Sequence, residues 1–306
     1  MLVPAKTIIM ILRHIFRGSN LVTVLQKVRR ELLKPISRLC IKSAKVNYFG
    51  LNLKVPLIHG LGAGYLVPGD QWMSKCLSIF LANKKGAIVD IGANIGLYMV
   101  KLKSLDLQRE YYGFEPNPVC NFYTQELISS NDFQNVRLFP FALSNVRELR
   151  RFYAKRKADK LGSLHDYARP GEEKANSFDL FTFPGDEFFD LLNLDSICAM
   201  KIDVEGFELE VLQGIKKTLL KYQPFVFCEI WHLPAKTDPS YEEKFRRNDS
   251  ICEFLREIDY EIIGFEFAEN KLVEINSVDD FENSQRGDYV LFPKSKREEL
   301  FSVFNN

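Results

Sequence analysis

A chain of 306 residues is long enough to bury one large core, with room for extensions around a single domain. With 46% hydrophobic and 26% charged residues its composition is that of an ordinary globular protein. The 41 Lys and Arg against 40 Asp and Glu leave a net charge of +1, so net charge lends no support to a nucleic-acid partner.

The charge is unevenly spread. Residues 1 to 45 form a basic extension in which Lys6, Arg13, Arg17, Lys27, Arg29, Arg30, Lys34, Arg38, Lys42 and Lys45 face one acid, Glu31. Its apolar run "TIIMIL" is closed by Arg13, too short for a signal-peptide core and far below the ~20 residues that cross a bilayer. Ile8, Ile9, Ile11, Leu12, Ile15 and Phe16 interleave with Arg13 and Arg17. That pattern suits either a helix packed on the main domain or a basic amphipathic helix touching an anionic membrane surface. The cysteines at 40, 76, 120, 198, 228 and 252 show no C-x-x-C pairing. This is thiol usage of a reducing compartment, so a cytoplasmic location is expected, with peripheral membrane association as the variant.

Residues 46 to 306 are expected to form the catalytic domain. Tyr48 to Asp70 is apolar and Gly-rich, and a helix "QWMSKCLSIFLAN" follows. From residue 87 short apolar runs alternate with helical patterns, the signature of βαβ units and a mostly parallel sheet. The strands are "AIVDI" (87–91), "EYYGFE" (110–115), "VRLFPFAL" (136–143), "SICAMKID" (196–203) and "FVFCEI" (225–230). Between them Leu97 to Leu105, Val119 to Ser129 and Phe207 to Tyr222 have helical spacing, the last with Phe207, Val211, Leu212, Ile215 and Leu219 on one face. Residues 145 to 195 break the rhythm and read as an insertion of extra strands and a loop. A helix near Asp249 to Ile258 precedes "YEIIGFEF" (260–267) and "DYVLFP" (288–293), which read as an antiparallel hairpin at the sheet edge.

The most informative loop is "VDIGANIG". It leaves a strand and opens a helix, the usual ligand cradle of a parallel sheet. A dinucleotide fingerprint needs a second glycine where Asn94 stands, and a pyrophosphate beside Asp90 would be repelled. A ligand carrying an ammonium and a sulfonium would be attracted, and S-adenosylmethionine carries both. Asp90 is placed to face its amino-acid part, directly or through water, while Gly92 lets the backbone approach. Glu115, at the tip of the second strand in "GFEPNP", suits a ribose diol, and Asn117 can add an adenosine contact. Ala142 and Leu143 in "FALSN" can wall the adenine. "GLGAGY" (60–65) lacks the final glycine and reads as a turn.

The acceptor side falls to "MKIDVEGFELEVLQG" (200–214) and "FCEIWH". Asp203 ends the fourth strand facing the crevice; Glu205 and Glu208 follow, where acids also stabilise a helix N-terminus. Glu229 ends the fifth strand, with Trp231 and His232 after it. Asp203 and Glu229 form a candidate pair of oxygen ligands for a divalent cation, or hydrogen-bonding partners for a polyol. A hydroxyl acceptor must lose a proton, and His232 or Asp203 are candidate bases.

In this order "VDIGANIGLY", "GFEPNP", "FALSN" and "MKIDVEGFELEVLQG" resemble the FkbM-type S-adenosylmethionine-dependent methyltransferases, over about Trp72 to Trp231. The resemblance implies a class I methyltransferase fold, a Rossmann-like α/β sheet of seven strands with an antiparallel last strand and helices on both faces. It also implies O-methylation of a small-molecule or glycan hydroxyl. At matched positions Asp90, Gly92, Asn94, Gly96 and Glu115 become cofactor contacts, with Ala93 inside the same loop, and Asp203 and Glu205 acceptor-side residues. The rivals are a nicotinamide- or nucleotide-sugar-dependent enzyme on a similar sheet, and a binding protein that kept the fold without catalysis.

Overall fold

Strands whose residues are apolar at every position belong at the centre of a sheet covered on both faces. In the computed structural model β3 (Ala87–Ile91), β4 (Tyr111–Phe114) and β9 (Ile197–Ile202) are buried at every residue, and β10 (Phe225–Glu229) at all but its last. The structure describes residues 42–58, 61–66, 77–78, 80–81, 84–155, 162–165, 176–266, 271–283 and 287–304. The basic stretch up to residue 41, most of the helix expected at 71–83, Gly60 of "GLGAGY" and the charged loops at 156–161 and 166–175 lie outside them. Among the described residues no helix is long and apolar enough to cross a membrane.

The chain divides into two units, 1–70 and 71–306. The first contains a hairpin, β1 (Ser43–Tyr48) and β2 (Leu51–Pro56), turning through Phe49 and Gly50 at φ 50° and 83°. Two successive left-handed residues match the right-handed twist of a two-residue hairpin turn. Lys45 lies inside β1, so the boundary expected there falls within a strand. Ala63–Leu66 of "GLGAGY" is a single 3-10 turn, with the Tyr65 and Tyr48 ring centroids 5.4 Å apart.

The second unit is built on an eight-stranded sheet in the order β12-β11-β13-β10-β9-β3-β4-β5. β5 (Val136–Phe139), β4, β3, β9 and β10 run parallel, and β13 (Asp288–Pro293) is antiparallel to both neighbours, β10 and β11 (Tyr260–Glu266). These seven strands carry the class I methyltransferase topology. Two expectations are corrected at this edge. The polar stretch that joins the two expected strands contributes a strand of its own, β12 (Lys271–Ile275), an eighth strand hairpinned to β11. β13 is not at the edge but inserted between β10 and β11, consistent with five consecutive buried residues after Asp288.

Helices flank this sheet: α1 (Leu97–Leu105), α2 (Pro118–Ser130), α3 (Gly185–Leu192), α4 (Glu208–Gly214), α5 (Lys216–Tyr222), α6 (Tyr241–Glu257) and α7 (Arg297–Phe304). The helix expected over 207–222 is two helices meeting at Ile215. Its apolar face is as read, with Phe207, Val211, Leu212, Ile215 and Leu219 all buried. The break coincides with Gly214, where a Cβ would stand 1.8 Å from the Ser144 carbonyl oxygen. The run "VRLFPFAL" is also divided. After β5 and Pro140 the chain leaves the main sheet, and β6 (Ala142–Ser144) joins β7 (Glu148–Phe152) and β8 (Phe178–Pro184) in a second, three-stranded sheet. This sheet is the body of the expected insertion.

Candidate active site

Two loops at the carboxyl ends of neighbouring strands define the site. After β3, Gly92, Asn94 and Gly96 take left-handed φ of 86°, 52° and 80°. The N–H groups of Gly92 and Ala93 both donate to the Phe114 carbonyl, at 2.9 and 3.0 Å. After β9, Glu205 and Gly206 take φ of 54° and 97°. The loops touch: a Cβ at Gly92 would lie 1.9 Å from the Asp203 carbonyl oxygen. Glycine is therefore required at 92 by the second loop as well as by the turn.

Between them and the insertion lies a cavity lined by Gly92, Asn94, Glu115, Ala142, Leu143, Asp203, Glu205 and a wall that includes Phe114, Phe141, Phe152 and Phe207. Residues read from four separate stretches of sequence are thus brought onto one surface. Glu115 sits at its edge. Its Oε2 accepts from Asn94 N–H and its Oε1 from Asn117 N–H, each at 2.7 Å. Burial pushes its pKa up to about 7 against these two hydrogen bonds. Each oxygen keeps a further lone pair for a ligand.

Four expected cofactor contacts, Asp90, Ala93, Gly96 and Asn117, are not among the residues lining this cavity. Asp90 is completely buried, and its Oδ2 accepts from the Tyr111 hydroxyl at 2.5 Å. Burial raises its pKa, opposed by the Lys201 charge and the Tyr111 hydrogen bond. Ala93 is buried under the turn, and Gly96 opens α1. Asn117 caps α2: its Oδ1 accepts from Val119 N–H at 2.9 Å, which turns the side chain to the helix and leaves its own N–H for Glu115.

On the acceptor side Asp203 lines the cavity, and Glu229 hydrogen-bonds to it. Burial and then the Asp203 charge push the Glu229 pKa up to about 9, so the pair holds a proton at neutral pH. Lys201, which the sequence reading passed over, stands beneath. Its Nζ is 3.1 Å from Asp203 Oδ2, 3.5 Å from Asp90 Oδ1 and 3.2 Å from the Gly92 carbonyl oxygen to which it donates. Burial alone would lower the Lys201 pKa, but the charges of Asp203 and Asp90 raise it. This ammonium already sets a positive charge against Asp203, one of the two carboxylates considered as oxygen ligands for a divalent cation. Among the described residues no group of three or more His, Cys, Asp or Glu is placed to hold a metal.

His232 is solvent-exposed after β10 and does not line the cavity, which corrects its reading as a base. Glu208 behaves as a loop-capping acid: its Oε1 accepts from Gly206 N–H at 3.0 Å and Val204 N–H at 3.3 Å. The Trp231 ring covers Gly206, where a Cβ would lie 2.1 Å from it. Ser163 and His165 were not legible as site residues. Ser163 donates to the Glu205 carbonyl at 2.7 Å and ties the insertion to the acceptor loop. His165 lies 3.6 Å from Glu210, and this neighbour together with the paired hydrogen bonds from Arg247 holds Glu210 at a pKa of about 2 although burial alone would raise it.

Residues 90–262 match the family model of the methyltransferase FkbM domain. No curated protein sequence matches the chain. Among solved structures, the methyltransferase FkbM of Methylobacillus flagellatus KT is 14% identical over 72% of this chain and 47% of its own, with a TM-score of 0.42. The chain therefore spans under half the length of that protein. A Streptococcus mutans protein described as a methyltransferase and solved with SAH is 13% identical, covering 72% of this chain and 94% of its own, TM-score 0.41. The precorrin-6y C5,15-methyltransferase of Geobacter metallireducens GS-15 is 13% identical over 72% and 84% respectively, TM-score 0.35.

Proposed function

The chain belongs to the FkbM family of S-adenosylmethionine-dependent methyltransferases, and on that premise we propose that it methylates a hydroxyl group, on a sugar, polysaccharide or related natural product. The observation that carries the reading is a single cavity lined by Glu115, by the Gly92 loop and by Asp203.

The donor set fits S-adenosylmethionine. Glu115, with backbone amides fixing both its oxygens, would take the ribose hydroxyls; Ala142, Leu143 and Phe141 would wall the base. Bound there, S-adenosylmethionine supplies a methyl group made electrophilic by the sulfonium. The chain's own work is alignment and proton removal. Asp203 is the carboxylate at the cavity best placed to accept the acceptor's hydroxyl proton. Glu229 carries the proton the pair already holds, and Lys201 keeps Asp203 aimed. Glu205 and Trp231 flank the same loop and offer a hydrogen-bonding group and an apolar face, a combination suited to a polyol.

A labelled-methyl transfer assay tests this, run with panels of oligosaccharides, polyols and amines, with and without EDTA. Transfer to hydroxyl acceptors that survives EDTA supports the reading. Transfer to amines alone, or binding of NAD or UDP-sugars without S-adenosylhomocysteine, sinks it.

A further inference from the structure

Lys201 lies inside a strand buried on both faces, where a cation is costly unless paired. Its side chain is 7% exposed. Lys201 Nζ donates to the Gly92 carbonyl oxygen at 3.2 Å and forms ion pairs with Asp203 Oδ2 at 3.1 Å and Asp90 Oδ1 at 3.5 Å, three oxygens in all. Two of these belong to the donor loop and its strand, the third to the acceptor loop. The placement follows from register. Lys201 is directly opposite Asp90 across the β3 and β9 pair, and Asp203 follows two residues on, on the same face. Two carboxylates, Asp90 and Asp203, thus flank one ammonium, and the Tyr111 hydroxyl also donates to Asp90.

We propose that Lys201 is a positioning residue and the internal counter-ion of the methyl-donor site: it ties the two loops together and sets how strongly the site prefers the sulfonium of S-adenosylmethionine over the neutral thioether of S-adenosylhomocysteine. The proposal rests on the reading of this cavity as the S-adenosylmethionine site. Its physical content is a separation of effects. Loosening the loops weakens both ligands alike, whereas deleting the ammonium exposes Asp90 and Asp203 and favours the sulfonium alone.

Calorimetry on the full chain at pH 8, with S-adenosylmethionine and S-adenosylhomocysteine as the two probes, separates these. In Lys201→Met the ratio of the S-adenosylhomocysteine Kd to the S-adenosylmethionine Kd should rise about tenfold, the order expected for one unit charge in a partly buried site. In Lys201→Arg it should stay within about twofold of the wild type, since the charge is kept. If Lys201→Met does not fold, Lys201→Gln retains a donor for the Gly92 carbonyl without the charge and should show the same rise. If neither folds, Asp203→Asn must shift the ratio the other way. Parallel weakening of both ligands with an unchanged ratio overturns the proposal and leaves Lys201 a structural residue. Wild-type chain that binds neither ligand removes the cofactor reading itself, a distinct failure.

Discussion

The loop after β3 and the loop after β9 are each held by one buried glutamate that collects two backbone N–H groups, Glu115 reaching the first from the end of β4. Glu115 accepts from Asn94 and Asn117, and Glu208 from Val204 and Gly206. Burial pushes both to a pKa of about 7. Yet Glu115 lines the cavity and Glu208 does not. A shifted carboxylate that organises a loop is therefore no sign of a ligand by itself; exposure to the cavity separates the two roles.

The largest effect expected is from breaking both loops at once. Gly92→Ala forces a Cβ into the Asp203 carbonyl at a φ of 86°, and the cost should exceed about 3 kcal/mol, read as a drop in the denaturation midpoint. Next, Glu115→Gln and Glu208→Gln sharpen the comparison. Glu115→Gln sets an amide NH₂ against one of two backbone N–H groups and should cost about 1–3 kcal/mol of stability, whereas in Glu208→Gln the amide oxygen can still accept from both Val204 and Gly206 and the cost should stay under about 1 kcal/mol. Only Glu115→Gln should also weaken S-adenosylhomocysteine binding, by about tenfold, the loss of one charge-assisted hydrogen-bonding site. Equal loss of affinity in both variants would erase the distinction between the loops.

The two glutamates also fix the sign of a pH dependence. Their folded pKa of about 7 lies above the ordinary 4.5, so their contribution to stability is complete below pH 4.5 and is lost as pH rises through 7. Ligand binding runs the other way, because a ribose diol needs Glu115 ionised: S-adenosylhomocysteine affinity should climb between pH 6 and 8, about tenfold per unit at most below the pKa. Calorimetry across that window checks it, and Glu115→Gln should flatten the slope while Glu208→Gln keeps it. A further step down in size separates the acceptor-side acids. Asp203→Asn should lower methyl transfer by about 10²-fold or more through loss of a base. Glu229→Gln, at a residue already protonated near neutral pH, should cost under about tenfold.

Much of this site could be read from the sequence because its parts obey local rules. Gly92, Asn94 and Glu115 are turn and strand-end residues, and the parallel-sheet pattern places them at one end of the sheet. Lys201 carried a signal too, a lone charge in "ICAMKI", a run otherwise fit for a strand covered on both faces. Its meaning needed the register that sets it opposite Asp90. Asp90 and Asn117 read as contacts because their spacing fits a cofactor loop; only side-chain direction, into the core for one and onto α2 for the other, shows them to be supports. The division of "VRLFPFAL" turned on Pro140, and the attachment of the insertion turned on Ser163, which meets Glu205 across 42 residues of sequence. Long-range partners of this kind leave no local periodicity to detect.

The smallest effect tests what remains of the histidine reading. His232 follows the glutamate of a strand end directly, the place where a base would be expected, yet it faces solvent beside a cavity whose lining it does not join. A base must come within hydrogen-bond reach of the proton it takes, about 2.6–3.2 Å or through one water. Asp203 lines the cavity and so lies on the surface an acceptor would touch, with Lys201 Nζ 3.1 Å from its Oδ2. His232→Ala should then change the methyl-transfer rate by less than about twofold and stability by under about 0.5 kcal/mol, as for an exposed side chain. A loss approaching that of Asp203→Asn would instead mean that the chain closes His232 over a bound acceptor, and the division of labour would move from the β9 loop to the segment after β10.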